Sequence, residues 1–366
     1  MLEVAAGFTP NPERRADPIW AAVDRLIDRA PSVQDLRRHG LQLLAADRWR
    51  QLGCPIPEQL RHDDQLAAAV TLTAPLVLER VRSAVAGPIV LMKGPEVAAL
   101  WPTPQSRPYS DVDLLVEDAA EAQRALLAAG FRPVGDPGLY VDIHHLRPLL
   151  APGLAVAVEV HDRPKWIDGL GAPPTVGLLA AAVPSTVGPE GILTLPPREH
   201  ALLLAAHSWA HVPLARISHL LDVALVAGLS EPDELKALAR EWGLEHAWAA
   251  TDCAAAALFH GGRRSLAMRT WARNLARVNE RTVLESHLEH WVSGFSALPL
   301  RKALAAGSRA LATETRPAPG EPWRIKLRRV RQALRSPFVA VSDHRRTLSA
   351  RGADAKWTPD GEEPGS

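Results

Sequence analysis

Apolar and polar positions divide the chain into a helical, a mixed and again a helical stretch. Ile19, Val23, Leu26 and Ile27 fall on one face of a first predicted helix, with Pro18 at its first position after Asp17. Ser32 is suited to cap a second, carrying Val33, Leu36, Leu41, Leu43 and Leu44. A third is expected from Pro57 to Ala86, kinked or broken at Pro75. These helices are apolar on one side only, so they need a surface to pack on.

Gly87-Pro88 marks the change to strands. Ile89–Met92 reads as a short buried strand closed by Lys93-Gly94. A short amphipathic piece and a Pro-rich loop lead to a second strand, Asp111–Val116, and a helix over Ala119–Ala129. Glu117 and Asp118 precede that helix, where carboxylates favour its dipole. Further strands are expected at Phe131–Val134, Tyr140–Leu146 and Leu154–His161, with a turn at Asp136-Pro137-Gly138. Alternation in the last puts Ala155, Ala157, Glu159 and His161 on one face and Val156, Val158 and Val160 on the other. From Thr175 the pattern is helical to about Leu311, broken at Gly188-Pro189 and Pro196-Pro197.

The expected fold class is therefore α+β: a small mixed β-sheet core flanked by helical N-terminal and C-terminal regions. The expected divisions are 1–87, 88–165, 166–312 and 313–366. Residues 1–16 and 349–366 read as disordered. A basic amphipathic helix is expected at 323–335, with Trp323, Leu327, Val330 and Leu334 as its apolar stripe. It offers a surface for a protein partner, an anionic lipid or nucleic acid, or simply docks with its charges in water.

A net charge of +1 gives no global case for nucleic acid or membrane binding. Cys54 and Cys253 are too few and too far apart for a disulfide scaffold and fit a reducing compartment. The N-terminus lacks a basic-then-apolar leader, and the most apolar run, Ala201–Ala215, is interrupted by His207, Ser208 and His211. The expectation is a cytoplasmic protein without a membrane span. Arg outnumbers Lys and Ala and Pro are abundant, which fits a GC-rich bacterial genome.

The candidate chemistry lies in the strands. Asp111 and Asp113 are two apart and share a face. Their repulsion is relieved if a cation sits between them, and hard oxygen ligands suit Mg²⁺ or Mn²⁺. Without one, the pair caps the solvent end of a strand. Glu159 is a carboxylate in an apolar strand, costly to bury unless it is paired or metal-bound. Gly94 permits close approach to a phosphate, but Pro95 supplies no N–H, and an ordinary turn with Pro opening a helix is the plainer reading. His207 and His211 share a helix face without the Glu of a His-Glu-x-x-His motif, and read as core histidines or supports. Asp222, on an apolar helix, needs a partner, for which Arg216 is the candidate. His144 and His145, if on a strand, point to opposite faces, so only one could reach the site.

Leu91-Met92-Lys93-Gly94, Trp101-Pro102, Arg107, Asp111–Val116, the helix ending in Leu126–Phe131, and Val158-Glu159-Val160-His161 occur in an order that resembles the nucleotidyltransferase superfamily. Within it, the chain is similar to the uncharacterised "nucleotidyltransferase family protein" group. The likeness is strongest over Ile89–His161 and weaker to about Leu225. It implies a nucleotidyltransferase core that moves an NMP from an NTP to a hydroxyl or other nucleophile of an unidentified acceptor, with Mg²⁺ (or Mn²⁺) on Asp111, Asp113 and Glu159 as catalytic residues. Lys93, Gly94, Arg107 and Ser110 would bind nucleotide, and His161, His207, Arg216 and Asp222 would line the acceptor side. Gly94-Pro95 departs from the Gly-Ser or Gly-Gly of the superfamily, which leaves open a degenerate member acting as a nucleotide- or protein-binding module.

Overall fold

The computed structural model describes residues 18–140, 144–317 and 321–344. The segments expected to be disordered, 1–16 and 349–366, and the middle of the strand expected at Tyr140–Leu146, lie outside the described residues. The chain forms two units, Met1–Ser265 with Leu275–Asn279, and Leu266–Asn274 with Glu280–Ser366.

The first unit is α+β, as expected: one mixed sheet of seven short strands among helices. Helix α1, Pro18–Arg29, buries Ile19, Trp20, Val23 and Leu26. Ser32 caps α2, Val33–His39, its Oγ accepting from the Asp35 N–H at 3.1 Å. Gly40, at φ 68°, ends that helix in the left-handed conformation. The single helix expected through Leu44 is therefore two, and α3 runs Gln42–Gln51. Helix α4, Glu58–Ala84, passes through Pro75 without the expected break. Val70, Ala74, Val77, Leu78 and Val81 are buried along it. At roughly 1.5–3 kcal/mol for each large apolar side chain buried, this packing outweighs the ~3 kcal/mol cost of an interior proline.

Strand β1, Ile89–Leu91, is followed by one helical turn, α5, Pro95–Ala98, then β2, Asp111–Leu115, and α6, Ala119–Ala128, capped by Asp118. Next come β3, Arg132–Pro133, β4, Leu149–Leu150, β5, Ala157–His161, and α7, Thr175–Ala181. Strands β6, Val183–Pro184, and β7, Ile192–Thr194, follow where the pattern predicts helix. The sheet order is β3-β4-β5-β2-β1-β7-β6. β2 runs antiparallel to β1 and parallel to β5, and β7 runs parallel to β1. Of the described residues in the strand expected at Tyr140–Leu146, Tyr140 ends a 3-10 turn, Pro137–Tyr140, and His145 makes a single bridge to His161; β4 is the strand that pairs with β5.

One sheet face carries Leu91, Val112, Leu114, Val158 and Val160, packed with Val77 and Val81 of α4 and Ala122 and Leu126 of α6. On the other face Val90, Met92 and Leu115 pack with Leu203 of helix α8, Pro197–His211. Helices α9, Ile217–Ala227, α10, Pro232–Glu241, and α11, Glu245–Phe259, complete the unit.

The second unit is helical. Val283–Val292 opens on a capping box between Thr282 and Glu285. Leu300–Thr315 follows, and Trp323–Arg335 forms where its stripe predicts. Among the described residues no helix is long and apolar enough to cross a membrane.

Candidate active site

The register of β2 on β5 sets Asp111 beside Ala157, Asp113 beside Glu159 and Leu115 beside His161. Alternation turns the acids to the face away from Val112, Leu114, Val158 and Val160. Asp113 is 1% exposed, and Lys93, two residues beyond β1, sets its Nζ 2.9 Å from Asp113 Oδ1. His161 Nε2 lies 3.3 Å from the same oxygen and 3.7 Å from Glu159 Oε2, and His145 Nε2 is 3.8 Å from that Glu159 oxygen. From α8, His207 brings Nε2 to 3.1 Å of Lys93 Nζ. One turn further, His211 contacts Lys165 Nζ at 2.7 Å, and the His207 and His211 rings are 4.6 Å apart.

These contacts fix the charges. Burial alone would raise the Asp113 pKa, but Lys93 and His161 outweigh it and hold the group well below the usual carboxylate range. Asp111 has the opposite fate: burial and the neighbouring charge of Asp113 push it up to about 6. Burial disfavours the His161 imidazolium, yet hydrogen bonding toward Asp113 and Glu159 raises its pKa. Burial and then Lys93 push His207 well below its ordinary value. A neutral His207 can accept from the Lys93 ammonium. Burial, then Lys165, lowers His211 to about 4, and burial, then Lys93, lowers Lys165 to about 8.

The turn after β1 is built for close approach. Gly94 has φ 69° and ψ −125°, and a Cβ there would lie 2.9 Å from the Asp111 carbonyl oxygen. Pro95 opens α5 as its first residue. Arg107 donates to the Gly94 carbonyl at 3.3 Å and, through Nε and Nη2, to both Asp222 oxygens at 2.9 Å. Trp101 Nε1 donates to Asp222 Oδ1 at 2.9 Å. Asp222 is thus paired with Arg107 across 115 residues, not with Arg216, which is exposed at the start of α9. The Arg107 guanidinium, expected to meet nucleotide, is taken up by this buried bidentate pair.

Of the residues singled out in the sequence, Lys93, Asp113, Glu159, His161 and His207 meet in one cluster, with Asp111 beside it on the same strand face. Ser110 is exposed just before β2, its carbonyl accepting from the Ala157 N–H at 3.0 Å. Lys165 was not anticipated at the site; it lies in no periodic element that would have announced it. The rings of His144 and His145 lie 5.4 and 5.2 Å from that of His161. The expectation that only one could reach the site fails because His144 and His145 lie outside any regular strand.

Asp113, Glu159 and His161 each offer a ligand atom within 4.8 Å of the others. Asp113 Oδ2 is buried with no hydrogen-bond partner. Two carboxylates and an imidazole are a donor set that suits a divalent cation.

A mixed sheet flanked by helices, with this acid cluster on one face, is an α+β nucleotidyltransferase-like fold. The chain belongs to the family described as uncharacterised nucleotidyltransferase, whose model matches residues 30–260. No curated protein and no solved structure matches the chain.

Proposed function

We propose that this protein transfers a nucleoside monophosphate from an NTP to a hydroxyl, or another nucleophile, of an acceptor, with Mg²⁺ or Mn²⁺ held by Asp111, Asp113, Glu159 and His161. The observation that carries this reading is the pairing of Asp113 with Glu159 across β2 and β5, beside Lys93, in a chain of this family. The nucleotide is assigned to region 88–165 and the acceptor to the helical side of the same unit, at α8 with His207. A divalent cation, when bound, supplies charge stabilisation to the phosphoryl and leaving oxygens. The residues do the rest. Lys93 offers a positive charge to the polyphosphate. Arg107 braces the Gly94 turn through its carbonyl rather than touching nucleotide, with Asp222 as its anchor. Glu159, whose side chain is 20% exposed against 1% for Asp113, is the carboxylate assigned to take the acceptor proton. As that O–H bond breaks, the oxygen bonds to the α-phosphorus, the bond to the β-phosphate oxygen breaks, and pyrophosphate leaves.

A second reading is a degenerate member that binds nucleotide or a protein without turnover. It is favoured by the Lys93 ammonium already balancing Asp113 and by Pro95 at the turn. Calorimetric titration with ATP, GTP, CTP and UTP, with and without Mg²⁺ or Mn²⁺, separates the two. The enzyme reading expects metal-dependent binding lost in Glu159→Gln. Metal-independent binding that survives Glu159→Gln favours the module, and no binding of any NTP removes both nucleotide readings.

A further inference from the structure

The helix Trp323–Arg335 has the sequence WRIKLRRVRQALR: six basic residues and no acid, in a chain whose net charge is +1. Trp323, Leu327, Val330 and Leu334 recur at helical spacing and form one narrow stripe. They are 60%, 48%, 40% and 75% exposed. The half-buried residues Ile325, Lys326 and Ala333 lie off this stripe. Phe338, just past the helix, is also exposed. The same unit holds a second case: on Leu300–Thr315, Leu300, Leu304 and Leu311 share a face, all exposed, among Arg301, Lys302 and Arg309.

From this we infer that the second unit seats on the surface of an anionic bilayer through its Trp323–Arg335 helix. Two features must be satisfied together. A nucleic acid would answer the basic residues but leave the apolar stripe in water. A single acidic protein groove would cover one such helix and leave the other. An anionic bilayer surface takes both, with apolar side chains in the headgroup–acyl boundary and Arg and Lys among the lipid phosphates. The helix is only about 20 Å long at 1.5 Å per residue, which suits lying in the interface rather than spanning. Trp323 adds an amphipathic ring of the kind favoured at that depth.

The test is flotation of the full-length chain with vesicles of phosphatidylcholine alone or mixed in equal parts with phosphatidylglycerol, and heparin binding as a polyanion control. The chain is expected to float with the anionic vesicles, weakly or not at all with phosphatidylcholine, and less in high salt. Arg328→Gln/Arg331→Gln should weaken binding roughly 25-fold, about fivefold for each basic residue lost. Leu334→Glu and Trp323→Gln, both at exposed positions, should also release the chain while circular dichroism stays unchanged. No flotation with anionic vesicles overturns the inference, as does flotation that survives both kinds of variant. Binding to vesicles and heparin alike that depends on the arginines but not on Leu334 or Trp323 also overturns it, in favour of a polyanion site. None of these outcomes touches the nucleotide reading of the first unit.

Discussion

Asp111 and Asp113, two residues apart on one strand, should respond to the same substitution with opposite signs. The folded-state pKa of Asp111 is raised from 3.8 to about 6. Folding therefore holds an extra proton there between these values, and stability falls as pH rises from the lower to the upper one. Above about pH 6 the penalty is complete, and at ~1.4 kcal/mol per unit it approaches 3 kcal/mol; partial solvation reduces it to the order of 2 kcal/mol. Asp111→Asn imitates the protonated form, so metal-free protein at about pH 7.5 should gain that much, and the gain should vanish below about pH 4. Asp113 is held low by Lys93 and His161, so its contribution is present at neutral pH and is lost as pH falls through its depressed folded pKa. Asp113→Asn leaves the half-buried Lys93 ammonium without its counter-charge and should cost about 2–3 kcal/mol at neutral pH, less than for a fully buried pair. Urea titration in EDTA, read by hydrogen exchange in peptides spanning β2 and β5, measures both in the first unit. Shifts of the same sign, or a destabilised Asp111→Asn, would refute the electrostatic reasoning.

Three further outcomes follow from the same geometry. Arg107→Ala strands Asp222 in the core and should cost about 3–5 kcal/mol in the same titration; a loss under 1 kcal/mol would show that the pair braces nothing. Gly94→Ala forces a Cβ into a left-handed backbone and against the Asp111 carbonyl, for about 1–3 kcal/mol, and should weaken any NTP-induced rise in melting temperature. Lys165→Met removes a neighbouring positive charge and should move the His211 pKa up from about 4 in a proton NMR titration, burial keeping it below the ordinary value; an unmoved resonance counts against the contact.

The parts of this fold legible in the sequence are those whose local signals are strong. The β1 run, the Asp-x-Asp strand, the apolar face of β5 and the Ser32 cap each reveal themselves within a few residues. Strands β6 and β7, two and three residues long, are too short to show alternation, so a sheet of seven strands reads as a smaller one. Pro75 is misleading because its local cost is met by burial along the whole of α4. In the site, Asp113, Glu159 and Lys93 carry sequence signals: a charge in an apolar strand or beside a glycine turn. Asp222 looks in need of a partner, but its bond to Arg107 across 115 residues leaves no local trace, and the nearer Arg216 is the wrong choice. Lys165 and His145 reach the cluster from irregular segments, where periodicity says nothing about direction.

The most direct test of the central claim, that the β2–β5 acids form a metal-dependent nucleotide site, is a Mn²⁺ titration followed by the electron paramagnetic resonance signal of the free ion, with and without each NTP. Wild type should take up Mn²⁺ and hold it more tightly with at least one NTP, and Glu159→Gln should lose both effects while keeping its fold. Uptake that is absent, indifferent to every NTP, or unchanged in Glu159→Gln would contradict the claim.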